Sequence, residues 1–153
     1  YDIVELDIGR RVDEVQLLAS AAAVHKLIDQ QVAAGIDAER IIVGGFSQGG
    51  AVAIQAALTY PQRLAGLMSL SSYFATEEVI EPHSSSRGTP VLICHGSHDP
   101  VVAQARGRRA SDVLTDMGYP VEYHTYMMEH SVCLEEIADI SRWFQRVLGG
   151  SEL

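Results

Sequence analysis

The 153-residue sequence is short of several features, and each shortage excludes something. It has no run of 18 apolar residues, so nothing reads as a transmembrane helix and stable membrane insertion is not expected. Positive charge is scarce. Eleven lysines and arginines stand against 20 acidic residues, for a net charge of −9. Such a surface repels phosphate backbones, which argues against a nucleic-acid partner and against strong attraction to anionic membranes. The two cysteines, Cys94 and Cys133, are too few for a disulfide framework and read as small buried hydrophobes in a reducing compartment. Neither H-E-x-x-H nor paired C-x-x-C spacing occurs, so no metal is expected. No basic stretch followed by an apolar one suggests a signal peptide, although the chain opens on Tyr1 rather than methionine. The expected location is therefore cytoplasmic. With 47% hydrophobic and 20% charged residues, disorder, collagen and coiled coil are excluded, and one packed domain is expected.

What is present alternates. Leu17, Ala21, Val24, Ile28 and Val32 recur at helical spacing, and Gly35 ends that segment. A β-branched strand, Ile41–Gly44, follows, and Gly45-Phe-Ser-Gln-Gly-Gly50 breaks it. Ala51–Thr59 reads as a helix, Leu64–Ser71 as a strand and 73–89 as irregular. Val91–Cys94 is a third strand, Val102–Met117 a helix, Val121–Tyr126 a fourth strand and Glu135–Leu148 a final helix, with Ser151–Leu153 a frayed tail. Strands alternating with helices indicate an α/β fold with a mainly parallel sheet and right-handed crossovers. In such sheets chemistry collects just past the carboxyl ends of the strands.

Gly45-Phe46-Ser47-Gln48-Gly49 lies just past the first strand and matches G-x-S-x-G. At average composition that pattern arises by chance in roughly one chain of this length in twenty. Its place between a strand and a helix is what a nucleophile elbow requires. A turn that tight excludes side chains at its flanks, hence Gly45 and Gly49, with Gly44 and Gly50 beside them. The turn lifts Ser47 above the sheet and lets the backbone N–H of Gln48 face a developing oxyanion. A phosphate loop would need Gly-Lys-Ser/Thr, which is absent.

A serine hydroxyl needs an imidazole held by a carboxylate. His25, His83 and His124 follow no strand end. His95, His98 and Asp99 follow the third strand and His130 the fourth. Ser47, Asp99 and His130 keep the order expected of an α/β-hydrolase, and each gap holds a helix and a strand. His98 cannot serve as base to its own neighbour. His95 reads as structural, its ring bonding loop backbone. Asp112, Asp116 and Asp139 read as solvated helix faces.

Gly-Phe-Ser47-Gln-Gly-Gly-Ala, His95-Gly-Ser-His-Asp99-Pro-Val-Val and Tyr126-Met-Met-Glu-His130-Ser-Val together resemble the carboxylesterase / acyl-protein thioesterase / lysophospholipase-like family of small α/β-hydrolases, and bacterial carboxylesterases most of all. The opening Tyr1-Asp2-Ile3 resembles the segment that precedes the family's first helix here. The resemblance implies hydrolysis of carboxylic esters through an acyl-enzyme, without a cofactor. The alternatives are an acyl-protein thioesterase or lysophospholipase and, in another class, a non-catalytic scaffold or inactive fragment. Two departures stand out. Glu129 precedes the base where the family has glycine or alanine. Nothing matches the family's early His-Gly-Leu-Gly loop, which supplies the second oxyanion donor. The resemblance thus implies the C-terminal part of the sheet, four strands from the elbow strand onward, in a domain incomplete at its N-terminus. A missing N-terminal segment or another subunit is expected beside Ile41–Gly44, since a long apolar edge recruits other chains.

The stretch between Ser72 and Pro90 is too short for a helical lid, so the site should be shallow. Phe46, Tyr73, Phe74, Val101, Val102 and Met127 are the candidates for a substrate groove, with core packing as their other reading. No basic pocket favours a charged acyl group, which leaves a neutral ester of short to medium acyl length as the expected small-molecule or acylated substrate.

Overall fold

The computed structural model describes residues 2–149, and the side chains of residues 13–149. Tyr1, Gly150 and the tail at 151–153 lie outside the described residues. The elements run α1 (Asp2–Ala33), β1 (Ile42–Phe46), α2 (Gln48–Thr59), β2 (Gly66–Leu70), β3 (Val91–Gly96), α3 (Gln104–Asp116), β4 (Val121–Tyr126) and α4 (Leu134–Gly149). Short 3₁₀ turns occur at Ala38–Arg40 and Ser84–Ser86. The four strands form one sheet in the order β1-β2-β3-β4, and every pair is parallel.

The crossover helices α2 and α3, together with α1, cover one face of the parallel sheet, and α4, which follows the last strand, covers the other. Alternate residues divide between the two faces. Val43, Leu67, Val91 and Ile93 join residues of α1, α2 and α3 in one core, including Ala21, Ile28, Ile54, Leu58, Ala110 and Leu114. Leu70, Leu92, Cys94 and Tyr126 join Trp143 of α4 in the other. Gly66 is required there, because a Cβ would lie 2.6 Å from the Trp143 ring. The alanine-rich sequence of α2 lets it pack closely, and Ala53, Ala56 and Ala57 are each buried. Burial pushes the Cys94 thiol up to about 12, so it is an inert core residue, while Cys133 is only half-buried.

Periodicity located every element, but several limits move. The first helix begins at Asp2 rather than near Leu17, so the opening segment is itself helical. The elbow strand lies later than expected, because the bonds from Ala65 N–H to the Ile41 carbonyl and from Ser47 N–H to the Leu70 carbonyl carry the ladder through the glycines to Phe46. The third strand likewise extends to Gly96 and takes in His95. Left-handed glycines close two helices, Gly35 at φ +107° and Gly118 at φ +96°.

Asp139 is not a solvated helix residue. It accepts a 2.7 Å hydrogen bond from the Tyr126 hydroxyl and pairs with Arg142, and the Tyr126 bond leads in holding its carboxyl below the ordinary range. No described helix is long and apolar enough to cross a membrane. At the other side of the sheet, the bonds to β2 use the Ile41 carbonyl and the Ser47 N–H. Strand alternation therefore turns the backbone groups of Ile42 and Gly44 to the open side of β1. A largely apolar depression of about 430 Å³ lies there, lined by Val24, Leu27, Ile28, Ile41 and Val52 among others.

Glu136, at the head of α4, is fully buried, and neither carboxylate oxygen has a hydrogen-bond partner among the described residues. Burial pushes its carboxyl up to about 7 from an ordinary 4.5. A folded-state pKa above the unfolded one means that the native state holds the extra proton. The stability this proton provides is complete below pH 4.5 and is lost as pH rises to about 7. A shift of that size corresponds to about 3 kcal/mol. Glu136→Gln keeps the shape without the charge. The melting temperature of this variant should exceed that of the parent by several degrees at pH 8 and equal it at pH 4, as read by thermal melts at both pH values.

Candidate active site

Ser47 sits between β1 and α2 with φ 57° and ψ −123°, in the left-handed half of backbone space that side chains disfavour. Three features hold it there. Its N–H donates to the Leu70 carbonyl at 2.8 Å, and its carbonyl accepts the Ser72 hydroxyl at 2.5 Å. A Cβ on Gly45 would overlap the Gly49 carbonyl group, and one on Gly50 would lie 2.5 Å from the Ser72 Cβ. Ser71, itself at φ 50° and fully buried, turns the chain after β2 and delivers Ser72 to this contact. Ser72 was not singled out from sequence, because only the pairing of β1 with β2 brings it there. Gly49 departs from expectation. A Cβ on it would meet nothing within 4 Å among the described residues, because Gly49 borders the depression beside β1.

His130 lies in the loop after β4, and its Nε2 is 3.1 Å from Ser47 Oγ. Its Nδ1 is 2.7 Å from Asp99 Oδ2. The carboxylate is an acceptor, so Nδ1 carries the proton and Nε2 is free to accept from the serine. The other Asp99 oxygen, Oδ1, accepts the N–H groups of Val101 and Val102 at 2.8 and 2.9 Å. Burial alone would raise this carboxyl. The hydrogen bonds from His130, Val102 and Val101 outweigh it and hold Asp99 below the ordinary carboxylate range, so it is ionised at neutral pH. The Phe46 ring packs on the His130 imidazole, with centroids 4.8 Å apart. Gly96 lets the two loops touch, since a Cβ there would overlap the Met128 and Glu129 carbonyls.

Gln48 and Gly49 open α2, and their N–H groups have no carbonyl one turn back to bond. They stand beside Ser47, where free backbone N–H groups at a helix start can donate to a negative oxygen. Of the six groove candidates, Tyr73 and Phe74 border a hollow of about 670 Å³ together with Gln48, Thr76 and Arg106. The Arg106 guanidinium lies 4.0 Å above the Tyr73 ring. Phe74 is also part of the core. Val102 is buried at 4% exposure and serves the acid loop through its backbone, whereas Val101 and Met127 face solvent at 67% and 90%. Glu129 is exposed. His98 bonds Ser97 at 3.0 Å, and His95 bonds the Val102 carbonyl at 2.7 Å. No group of three or more metal-ligating side chains occurs among the described residues.

A parallel sheet with a strained serine between strand and helix, an acid after β3 and a histidine after β4 defines an α/β-hydrolase. The chain belongs to the phospholipase/carboxylesterase family, which it matches over residues 1–148. It is 41% identical over 147 residues to acyl-protein thioesterase 1 of Neurospora crassa, covering 90% of this chain and 60% of that protein. It is 33% identical over 156 residues to carboxylesterase SOBER1 of Arabidopsis thaliana, covering 99% and 68%. The crystal structure of Arabidopsis thaliana SOBER1 superposes with a TM-score of 0.82 at 32% identity, covering 86% of this chain and 64% of that one. A Bacillus cereus carboxylesterase, at 19% identity and a TM-score of 0.77 over 88% of this chain and 63% of that one, shares the fold. The chain thus spans about 60% of the length of the first two fungal relatives.

The two glycines that flank the elbow should behave differently. Gly45→Ala should lower the melting temperature, by the equivalent of about 1–3 kcal/mol of overpacking. Gly49→Ala, which has open space at that position, should leave it unchanged or raise it, and a pair of thermal melts compares them.

Proposed function

We propose that this chain carries the nucleophile, base and acid of a serine hydrolase that cleaves carboxylic esters through an acyl-enzyme on Ser47. The observation that carries this reading is a single imidazole, His130, within hydrogen-bond distance of Ser47 on one side and Asp99 on the other. Ser47 Oγ attacks the ester carbonyl carbon while His130 Nε2 takes its proton, and Asp99 stabilises the imidazolium. The carbonyl oxygen becomes an oxyanion facing the Gln48 N–H. The C–O bond to the alcohol then breaks, and His130 returns the proton to the departing oxygen. Water repeats the sequence in reverse, leaving a carboxylic acid and free Ser47. No step calls for a metal or other cofactor.

The reading for the substrate is a neutral acyl group of short to medium length, since Arg106 in the hollow beside Tyr73 is outnumbered there by Asp13, Glu14, Glu77 and Glu78. The second reading is an acyl thioester or a lysophospholipid, and relatives named acyl-protein thioesterase 1 at 41% and 36% identity favour the thioester. The two free cysteines suit a cytoplasmic setting. We also infer that another polypeptide segment, from the same protein or another subunit, lies along the open side of β1 and supplies the second oxyanion donor. The depression beside β1 and the unmatched length of the relatives support this.

A fluorophosphonate should label the protein at Ser47, and Ser47→Ala should abolish labelling and lower kcat at least ~10³-fold. Activity within tenfold of the parent would overturn the assignment. Nitrophenyl esters, acyl-CoA and lysophosphatidylcholine, compared by kcat/KM, separate the two readings.

If a segment pairs with β1, the amides of Ile42 and Gly44 should exchange with deuterium as slowly as those of β3. Exchange at the rate of a surface loop would remove that part of the proposal.

A further inference from the structure

His95 is the last side chain of β3 before the glycine that frees the loop, and it has no exposed surface. Its Nε2 is 2.7 Å from the Val102 carbonyl. A carbonyl only accepts, so Nε2 carries the ring proton. The same nitrogen is 3.6 Å from Asp99 Oδ2, the oxygen that holds His130. Nδ1 has no hydrogen-bond partner among the described residues. That edge of the ring is packed on the first turn of α3 at Gly107, where a Cβ would overlap Nδ1 and stand 3.0 and 3.1 Å from Cγ and Cε1.

A glycine in a helix is disfavoured relative to alanine, and here the space it leaves is filled by an imidazole. The Asp99 turn closes on itself through Oδ1 and the Val101 and Val102 N–H groups. Those bonds keep the turn's shape, and the bonds from the Ser97 and His98 N–H groups to the Tyr126 and Met128 carbonyls hold its start. The bond from His95 to the Val102 carbonyl ties the turn to β3. The same Nε2 lies 3.6 Å from the oxygen that must stay aligned with His130.

We propose that His95, seated on Gly107, is a positioning residue for the reaction assigned above. It holds the Asp99 carboxylate in line with His130, with Nε2 3.6 Å from Oδ2. The proposal rests on the serine-hydrolase reading and adds to it a residue that touches no reacting atom.

The test uses the protein with His95→Leu, His95→Gln and Gly107→Ala. Leucine fills space without a donor, and glutamine returns an N–H near the position of Nε2. His95→Leu should lower kcat and the rate of fluorophosphonate labelling of Ser47 roughly 10- to 100-fold, with KM within threefold of the parent. The acidic limb of its kcat/KM profile should move to lower pH, because a misaligned Asp99 holds the imidazolium less well. His95→Gln should recover most of the loss. Gly107→Ala removes no polar group and inserts the better helix former. It should nevertheless lower kcat and shift the same limb by displacing the ring, and it decides the matter if His95→Leu does not fold. A folded His95→Leu with the parent's kcat and pH profile would overturn the proposal, as would a Gly107→Ala variant that is more stable and fully active. A parent protein that neither labels at Ser47 nor hydrolyses esters would instead remove the underlying reading and this proposal with it.

Discussion

The structure depends on keeping one serine in a conformation that its own side chain opposes. A non-glycine residue in such a region costs about 1–3 kcal/mol, so the surroundings must leave it no alternative. Ser47 is fixed through its N–H by β2, through its carbonyl by Ser72, and through absent side chains at Gly45 and Gly50. The parallel ladder of β1 and β2 places Leu70 opposite Phe46 and so delivers Ser71 and Ser72 to the turn. A shift of register by one residue would move those partners away. The sheet therefore sets the direction in which the hydroxyl points, and the two cores on its faces hold the sheet rigid enough to do so.

The acid and base are placed by a different device. Neither belongs to regular structure, yet both loops begin at strand ends that lie side by side, since His95 pairs with Thr125 and Gly96 with Tyr126. The loops then lock to the strands and to each other. Ser97 N–H donates to the Tyr126 carbonyl and His98 N–H to the Met128 carbonyl. Backbone bonds supply part of the precision and the buried His95 ring another part, while the exposed side chains of the same loops, such as Val101 and Met127, carry none of it.

Much of this was legible in the residues. Periods of two and 3.6 separate strands from helices, and a glycine-flanked serine between a strand and a helix has few other uses. The meeting of Asp99 and His130 at Ser47 was legible because functional groups in a parallel sheet collect at strand ends, and only one such pairing keeps the chain order. What was not legible concerns partners across the fold. Asp139 has the helical spacing of a surface residue, and only the packing of α4 against β4 brings it to Tyr126. Glu136 carries a charge type that sequence assigns to solvent, yet it is enclosed at the head of α4. Gly49 repeats the elbow pattern but meets no neighbour, whereas Gly107 lies in an unremarkable helix and is pressed against His95. A glycine's reason lies in what faces it, and local pattern does not record that.

The close approach at Gly96 couples two loops of the site. Because that residue nests under the Met128 and Glu129 carbonyls, the turn bearing Asp99 and the loop bearing His130 are joined like two leaves of one latch. Ser47 belongs to the opposite half, anchored to β1, β2 and α2. Any change of geometry at Gly96 is therefore shared by the turn bearing Asp99 and the loop bearing His130, whereas the turn bearing Ser47 is held by separate bonds to Leu70 and Ser72.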